Sequence, residues 1–295
     1  MISKGLARDI FITFGDSITE LGYQVEKDGW VSQLANQYVR KIEVVNRGYS
    51  GKTTISDGSS ITSKDEQKNL SENADNGKVN YEQQILTGFE ESRTPRIRLV
   101  TIFLGANDSS LPPWFQHVPL AEYGANIRQM IDFLTNKESE YYNPDVKIIL
   151  ITPPPLCSTM WQEILKEKGY TEVNRNNQSV KIYADEVVKI GKDYNIPVIN
   201  LWQGIEDKIQ ELKNAAVNSD GSQQQQDTNT DQKYCTDVNN PRFGYDRYLC
   251  DGLHLENLGN DFLFKSLMET INTNFPELSP ENVPTFLPTW ETIIP

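Results

Sequence analysis

Five short apolar runs, at residues 10–14, 42–45, 97–104, 146–151 and 196–201, constrain this chain more than any other feature. The first, Ile10-Phe11-Ile12-Thr13-Phe14, is β-branched and aromatic, is cut off by Gly15, and has the length of a buried strand. Between the runs lie stretches whose apolar residues recur at helical spacing, at residues 30–40, 81–91, 120–134 and 180–193, with a last one at 258–274. Strands that alternate with helices pair in parallel, because each helix carries the chain back to the same end of the sheet. Near-continuous apolar strands also imply that both faces are covered. The expectation is an α/β fold with helices on both sides of a parallel sheet.

At 295 residues the chain can bury one large α/β core or two smaller ones, and one domain over residues 1–295 is the reading adopted. Two polar stretches interrupt the alternation. Residues 56–78 are rich in Ser, Asn, Asp and Lys and read as a surface insertion. Residues 216–240, which include Gln223 to Gln226, cannot bury enough apolar area to offset their ordering entropy, so mobility without function is expected there. The tail, residues 275–295, carries five prolines and is expected to wrap the domain as extended chain. No internal repeat is present.

A formal net charge of −13 repels phosphate at long range, which argues against nucleic acid and anionic membranes as partners. No apolar run reaches the roughly 18 residues of a membrane span, and residues 1–9 lack the pattern of a secretory signal. A cytoplasmic address without stable membrane insertion is the expectation, and a homodimer is left open. Three cysteines are too few for a disulfide framework, although a Cys235–Cys250 pair is left open. The Asn-x-Ser triplets at Asn69, Asn107 and Asn177 read as chance.

In an open parallel sheet, ligands bind beyond the carboxyl ends of the strands. Three segments fall there: Gly15-Asp16-Ser17-Ile18, residues 46–51 (NRGYSG) and Gly105-Ala106-Asn107-Asp108; a fourth, Asp251-Gly252-Leu253-His254, precedes the final helix. A serine in a tight turn after a strand can present its hydroxyl to a substrate, though an isolated Gly-Asp-Ser is more often a cap or a turn. Serine needs a base, and histidine is the usual one. Of the two histidines, His117 sits in a proline-bounded loop without a nearby acid, whereas His254 has Asp251 three residues before it. Such a carboxylate can hold the imidazole in the tautomer that leaves its far nitrogen free. Gly51 and Asn107 fit the role of oxyanion donors, the first through backbone exposed by a missing side chain, the second through a neutral NH₂.

In this order and strand context the four blocks resemble the SGNH, or GDSL, hydrolases, from Ile10 onward. The resemblance implies a three-layer α/β/α sandwich with a five-stranded parallel, flavodoxin-like sheet. It also implies catalytic Ser17, Asp251 and His254, and an oxyanion hole of Ser17, Gly51 and Asn107. Gly48 competes with Gly51, and Gly51 is preferred because the family glycine lies several residues after the position of Asn46. More narrowly, residues 14–20 (FGDSITE), residues 101–108 (TIFLGAND), residues 126–130 (NIRQM), the Asp251–His254 block, Phe275-Pro276 and the Trp290 tail look like the fungal isoamyl acetate-hydrolysing esterases. That likeness implies hydrolysis of small acetate esters with no metal or organic cofactor; the two polar insertions depart from it and bear on substrate preference.

Other readings remain at this stage. A lysophospholipase, thioesterase or acyltransferase would use the same acyl-enzyme. Cys250, beside Asp251, offers a rival nucleophile or metal ligand, but lacks the paired Cys or His spacing of a zinc site. A catalytically silent binding module would have no physical need for a base together with oxyanion donors.

Overall fold

The computed structural model describes residues 8–55, 96–219 and 234–285. Five parallel strands form its centre: β1 Ile10–Gly15, β2 Glu43–Gly48, β3 Ile97–Phe103, β4 Lys147–Ile151 and β5 Val198–Ile199, in the order β2-β1-β3-β4-β5. The helices are α1 Ser17–Glu20, α2 Trp30–Gln37, α3 Leu120–Thr135, α4 Ser158–Glu167, α5 Asn177–Tyr194, α6 Leu201–Ser219, α7 Tyr245–Tyr248 and α8 Asn257–Asn274.

Strand side chains alternate between two apolar clusters. Phe11, Leu99, Phe103, Ile149 and Ile151 face Trp30 and Leu34 of α2, Met160 of α4, Ile205 and Ile209 of α6 and Leu263 and Leu267 of α8. Ile10, Ile12, Phe14, Val100, Ile102 and Leu150 face Ile127 and Ile131 of α3 and Val187 and Ile190 of α5. Apolar residues on both faces of the sheet remove the need for polar alternation, which is why these strands read as unbroken apolar runs. The α/β/α sandwich with a five-stranded parallel sheet is therefore the observed architecture.

Several boundaries differ from the sequence reading. The run at residues 196–201 yields only the two-residue β5, because Leu201 already opens α6 and puts Leu201, Ile205 and Ile209 into the core at helical spacing. Helix α6 continues through Ser219, so the stretch read as a polar insertion from residue 216 starts inside a helix. The strand expected at residues 42–45 runs on to Gly48: Asn46 Nδ2 donates to Thr19 O at 2.7 Å, and Gly48 pairs with Gly15. Helix α4 lies between the apolar run at residues 146–151 and the helical spacing at 180–193, where the sequence pattern predicts no element.

The tail is not simply extended. Pro276–Leu278 forms a 3₁₀ turn, and its Leu278 carbonyl accepts the Tyr38 hydroxyl at 2.6 Å. The helix expected at residues 81–91, the insertion at 56–78, most of that at 216–240 and the tail from residue 286 lie outside the described residues. Among the described residues, no helix is long and apolar enough to cross a membrane. The three cysteines are unpaired, so no Cys235–Cys250 bridge forms.

Candidate active site

Strand β1 ends at Gly15, and Asp16 turns the chain into α1 by accepting the Ile18 N–H on Oδ1 at 2.9 Å. Ser17 is thereby held at the first position of α1, at the carboxyl edge of the sheet. Wholly buried Trp30 supports the turn from below, donating its indole N–H to Ile18 O at 3.3 Å.

The chain returns to this point from far away. Leu249 and Leu255 form an antiparallel bridge, and the loop between them carries Asp251 and His254. Gly252 sits at φ +91°, and an added Cβ would meet the backbone of Cys157 and Trp161 at 2.6 and 2.8 Å, so this turn requires glycine. Asp251 Oδ1 accepts the N–H groups of Leu253 and His254 at 2.9 and 2.8 Å, while Oδ2 lies 2.6 Å from His254 Nδ1. Burial alone would raise the Asp251 carboxyl. The His254 imidazole and these backbone N–H groups outweigh it and hold the group below the usual carboxylate range. His254 Nε2 lies 2.8 Å from Ser17 Oγ, across 237 residues of sequence. With its proton on Nδ1, facing Asp251, the imidazole offers Nε2 as an acceptor for the serine hydroxyl.

Two further strand ends lie on either side of Gly15, next to the turn that carries Ser17. Gly48 belongs to β2, where a Cβ would fall 2.0 Å from the Glu20 nitrogen; its role is to let α1 approach. Gly51 lies past the strand at φ +77°, and among the described residues the atom nearest its virtual Cβ is Gln116 Nε2, at 3.7 Å. Among the described residues, Gly51 has more room beside its backbone than Gly48. Asp108 anchors that loop by accepting the N–H and hydroxyl of Thr54 on Oδ1 at 2.7 and 2.6 Å. Asn107 is buried, and its Nδ2 donates to Lys52 O at 2.9 Å, joining the third block to the second.

Sequence reasoning missed the second layer. Asn107 Oδ1 accepts from Arg175 Nη2 at 2.9 Å, and Gln116 Nε2 donates to Gly51 O at 3.2 Å. Trp161 turns an edge toward the His254 ring at 6.3 Å between centroids and donates its indole N–H to Asn174 Oδ1 at 2.9 Å. No motif announces these residues; a lone arginine in a polar loop gives no signal until its neighbours are known.

The discarded candidates lie elsewhere in the network. His117 Nδ1 is 2.5 Å from the Ser110 carbonyl oxygen. Cys250 donates its backbone N–H to His254 O at 2.9 Å, and burial pushes its thiol upward, away from the reactive thiolate. Asn177 uses its amide on Glu206 at 2.7 Å and accepts from Leu156 N and Trp202 Nε1 at 3.0 and 2.9 Å. Among the described residues, no group of three or more His, Cys, Asp or Glu could hold a metal ion.

The arrangement is a hydroxyl, an imidazole and a carboxylate in sequence, beside a glycine loop and a carboxamide. Such a set can remove a proton from serine and stabilise negative charge next to it.

The profile of the GDSL-like lipase/acylhydrolase family matches residues 13–261. The chain is 32% identical to the isoamyl acetate-hydrolyzing esterase 1 homolog of Mus musculus over 284 residues, covering 96% of this chain and 87% of that protein. It is 27% identical to the isoamyl acetate-hydrolyzing esterase of Saccharomyces cerevisiae, covering 96% of this chain and 94% of that one. Among solved structures, a lipase/acylhydrolase from Enterococcus faecalis superposes with a TM-score of 0.50 at 21% identity, covering 90% of this chain and 96% of that one. A carbohydrate acetylesterase family member from Sinorhizobium meliloti gives 0.54 at 15% identity, covering 90% and 98%. At these identities the structural likenesses speak for the fold.

Proposed function

We propose, from the premise that this chain belongs to the GDSL-like lipase/acylhydrolase family and is a carboxylic ester hydrolase, that it cleaves short-chain esters through an acyl-enzyme on Ser17. The observation that carries the reading is the Ser17–His254–Asp251 relay, with contacts of 2.8 and 2.6 Å.

Ser17 Oγ bonds to the ester carbonyl carbon as its proton passes to His254 Nε2. The carbonyl π pair moves onto oxygen, and the N–H groups of Ser17 and Gly51 with the Asn107 amide stabilise that charge. The pair returns, the carbon–alcohol oxygen bond breaks, and the proton on Nε2 goes to the departing alcohol. Water then gives a proton to the same nitrogen, adds to the acyl carbon, and the acid leaves as Ser17 regains its proton. Asp251 remains ionised throughout and stabilises the imidazolium. Side chains and backbone account for every proton and charge, so the reading calls for no metal or organic cofactor.

Acetate esters of small alcohols are the proposed substrate class, supported by the names that the mouse and yeast relatives carry. The test is a hydrolysis panel running from isoamyl acetate and p-nitrophenyl acetate through butyrate and octanoate esters, with thioesters, lysophospholipid and added alcohol as an acyl acceptor. Highest kcat/KM on acetates supports the reading. Highest kcat/KM on long chains, thioesters or lysophospholipid, or dominant transfer to the added alcohol, replaces it by a lipase, thioesterase or acyltransferase.

A further inference from the structure

Arg175 is 2% exposed, immediately before α5, and carries a full charge into the layer behind the candidate oxyanion site. Nη2 donates to Asn107 Oδ1 at 2.9 Å and to Gln116 Oε1 at 2.8 Å, and Nε donates to Ala106 O at 3.0 Å. The guanidinium carbon stands 5.1 Å from the centre of the Trp161 ring. Each of these partners is neutral, and no carboxylate among the described residues makes an ion pair with Arg175. An arginine kept only for packing is costly in this state, because buried cations ordinarily sit against a counter-charge. Burial lowers the group to about 10 against the opposing pull of the Asp16, Asp108 and Asp251 carboxyls, none of which pairs with it directly, and this leaves it protonated at neutral pH.

What the cation touches gives it a task. A carboxamide can turn over, exchanging its oxygen for its NH₂ with little change in shape. At Asn107 the exchange is blocked on both sides. A guanidinium has no acceptor, so the atom facing Arg175 must be oxygen; a carbonyl has no donor, so the atom facing Lys52 O must be nitrogen. One Nδ2 hydrogen serves Lys52, and the second has no partner among the described residues. A flipped amide would instead present Oδ1 to the developing oxyanion and repel it. Gln116 extends the same control: it accepts from Arg175 on Oε1 and donates to Gly51 O at 3.2 Å through Nε2.

We propose that Arg175 is the positioning residue of the oxyanion site. It fixes the Asn107 amide with Nδ2 toward the reacting carbonyl, polarises that N–H through Oδ1, and ties Asn107 to the Gly51 loop through Gln116. The inference rests on Asn107 acting as an oxyanion donor, so its test separates the two ideas.

The experiment is a double-mutant cycle on the full chain with p-nitrophenyl acetate, using Arg175→Met, Arg175→Lys, Asn107→Ala and each Arg175 variant combined with Asn107→Ala. Thermal melts confirm folding. Arg175→Met is expected to lower kcat about thirty- to a hundred-fold with KM within about three-fold, the signature of an interaction made in the transition state. Arg175→Lys, which keeps the charge but not the fork, falls between that variant and the parent. In the Asn107→Ala background either substitution should lower kcat by clearly less than it does in the parent, because the amide it positions is gone and only the Gln116–Gly51 link is left to lose. Should Arg175→Met not fold, the lysine cycle makes the same comparison. Losses that multiply fully in the Asn107→Ala background, or a parental kcat in folded Arg175→Met, overturn the proposal for Arg175 alone. A parental kcat in Asn107→Ala overturns the oxyanion reading and the proposal with it.

Discussion

Asp251 holds His254 at two places: one carboxylate oxygen lies 2.6 Å from the ring Nδ1, and the other accepts the backbone N–H of the same residue at 2.8 Å. The first contact sets the tautomer and ring orientation, and the second fixes the loop from which the ring projects. Asp251→Asn keeps the shape but can present an amide N–H to Nδ1, which would push the imidazole proton onto the nitrogen facing Ser17. The expected result is a loss in kcat of about a thousand-fold or more with KM nearly unchanged, measured by steady-state ester hydrolysis. A change of less than ten-fold would remove Asp251 from the account.

Gly252 tests whether that loop has room to adjust. At φ +91°, with backbone atoms of the α4 cap and of α4 itself 2.6 and 2.8 Å from a virtual Cβ, alanine strains the chain and collides with groups that cannot rotate away. Gly252→Ala should cost about 3 kcal/mol or more and depress kcat together with stability, because Asp251 and His254 flank it. Thermal melts and turnover on the same preparation check both.

Asp16 makes stability depend on pH. Burial raises its carboxyl from 3.8 to about 7, opposed chiefly by the Ile18 N–H, and Oδ2 has no hydrogen-bond partner among the described residues. Between those two values the folded chain keeps a proton that the unfolded chain has released. The contribution to stability is therefore full below 3.8 and is lost as pH rises through about 7. Asp16→Asn imitates the protonated acid. Its Tm relative to the parent should rise between pH 4 and pH 8, and a gap that stays constant across that range would contradict the assignment.

Tyr38 supplies a control at the opposite end of β1. It is fully buried, packs edge-on against Phe11 at 4.8 Å and donates its hydroxyl to Leu278 O. Tyr38→Phe leaves that buried carbonyl without the bond, at a cost of about 1–3 kcal/mol. Denaturant melts should report the loss while kcat and KM stay at parental values.

How far the sequence could be read follows from the range over which each element is determined. That Ser17, His254 and Asp251 meet could be anticipated because Gly-Asp-Ser follows an apolar strand and one of the two histidines has an acid three residues before it; Gly51 and Asn107 could be placed as candidates because their blocks end strands. Strands β1, β3 and β4 were legible because burial on both faces makes them apolar throughout. Arg175 and Gln116 were not, since their meaning comes from contacts 68 and 59 residues away in sequence and neither belongs to a block. Helix α6 was hidden because Leu201 ends one apolar run and begins the next period, with polar residues filling the exposed face between Ile205 and Ile209. Gly48 and Gly51 could be ranked only by resemblance until the backbone of Glu20 was seen against Gly48.

Ser17 as the acyl-accepting nucleophile is open to active-site labelling with a fluorophosphonate. One adduct per chain is expected, located on Ser17 by peptide mass spectrometry, with ester hydrolysis lost in step with labelling and with neither labelling nor turnover in folded Ser17→Ala. An adduct on another residue that tracks the loss of activity, or near-parental turnover in Ser17→Ala, would contradict it.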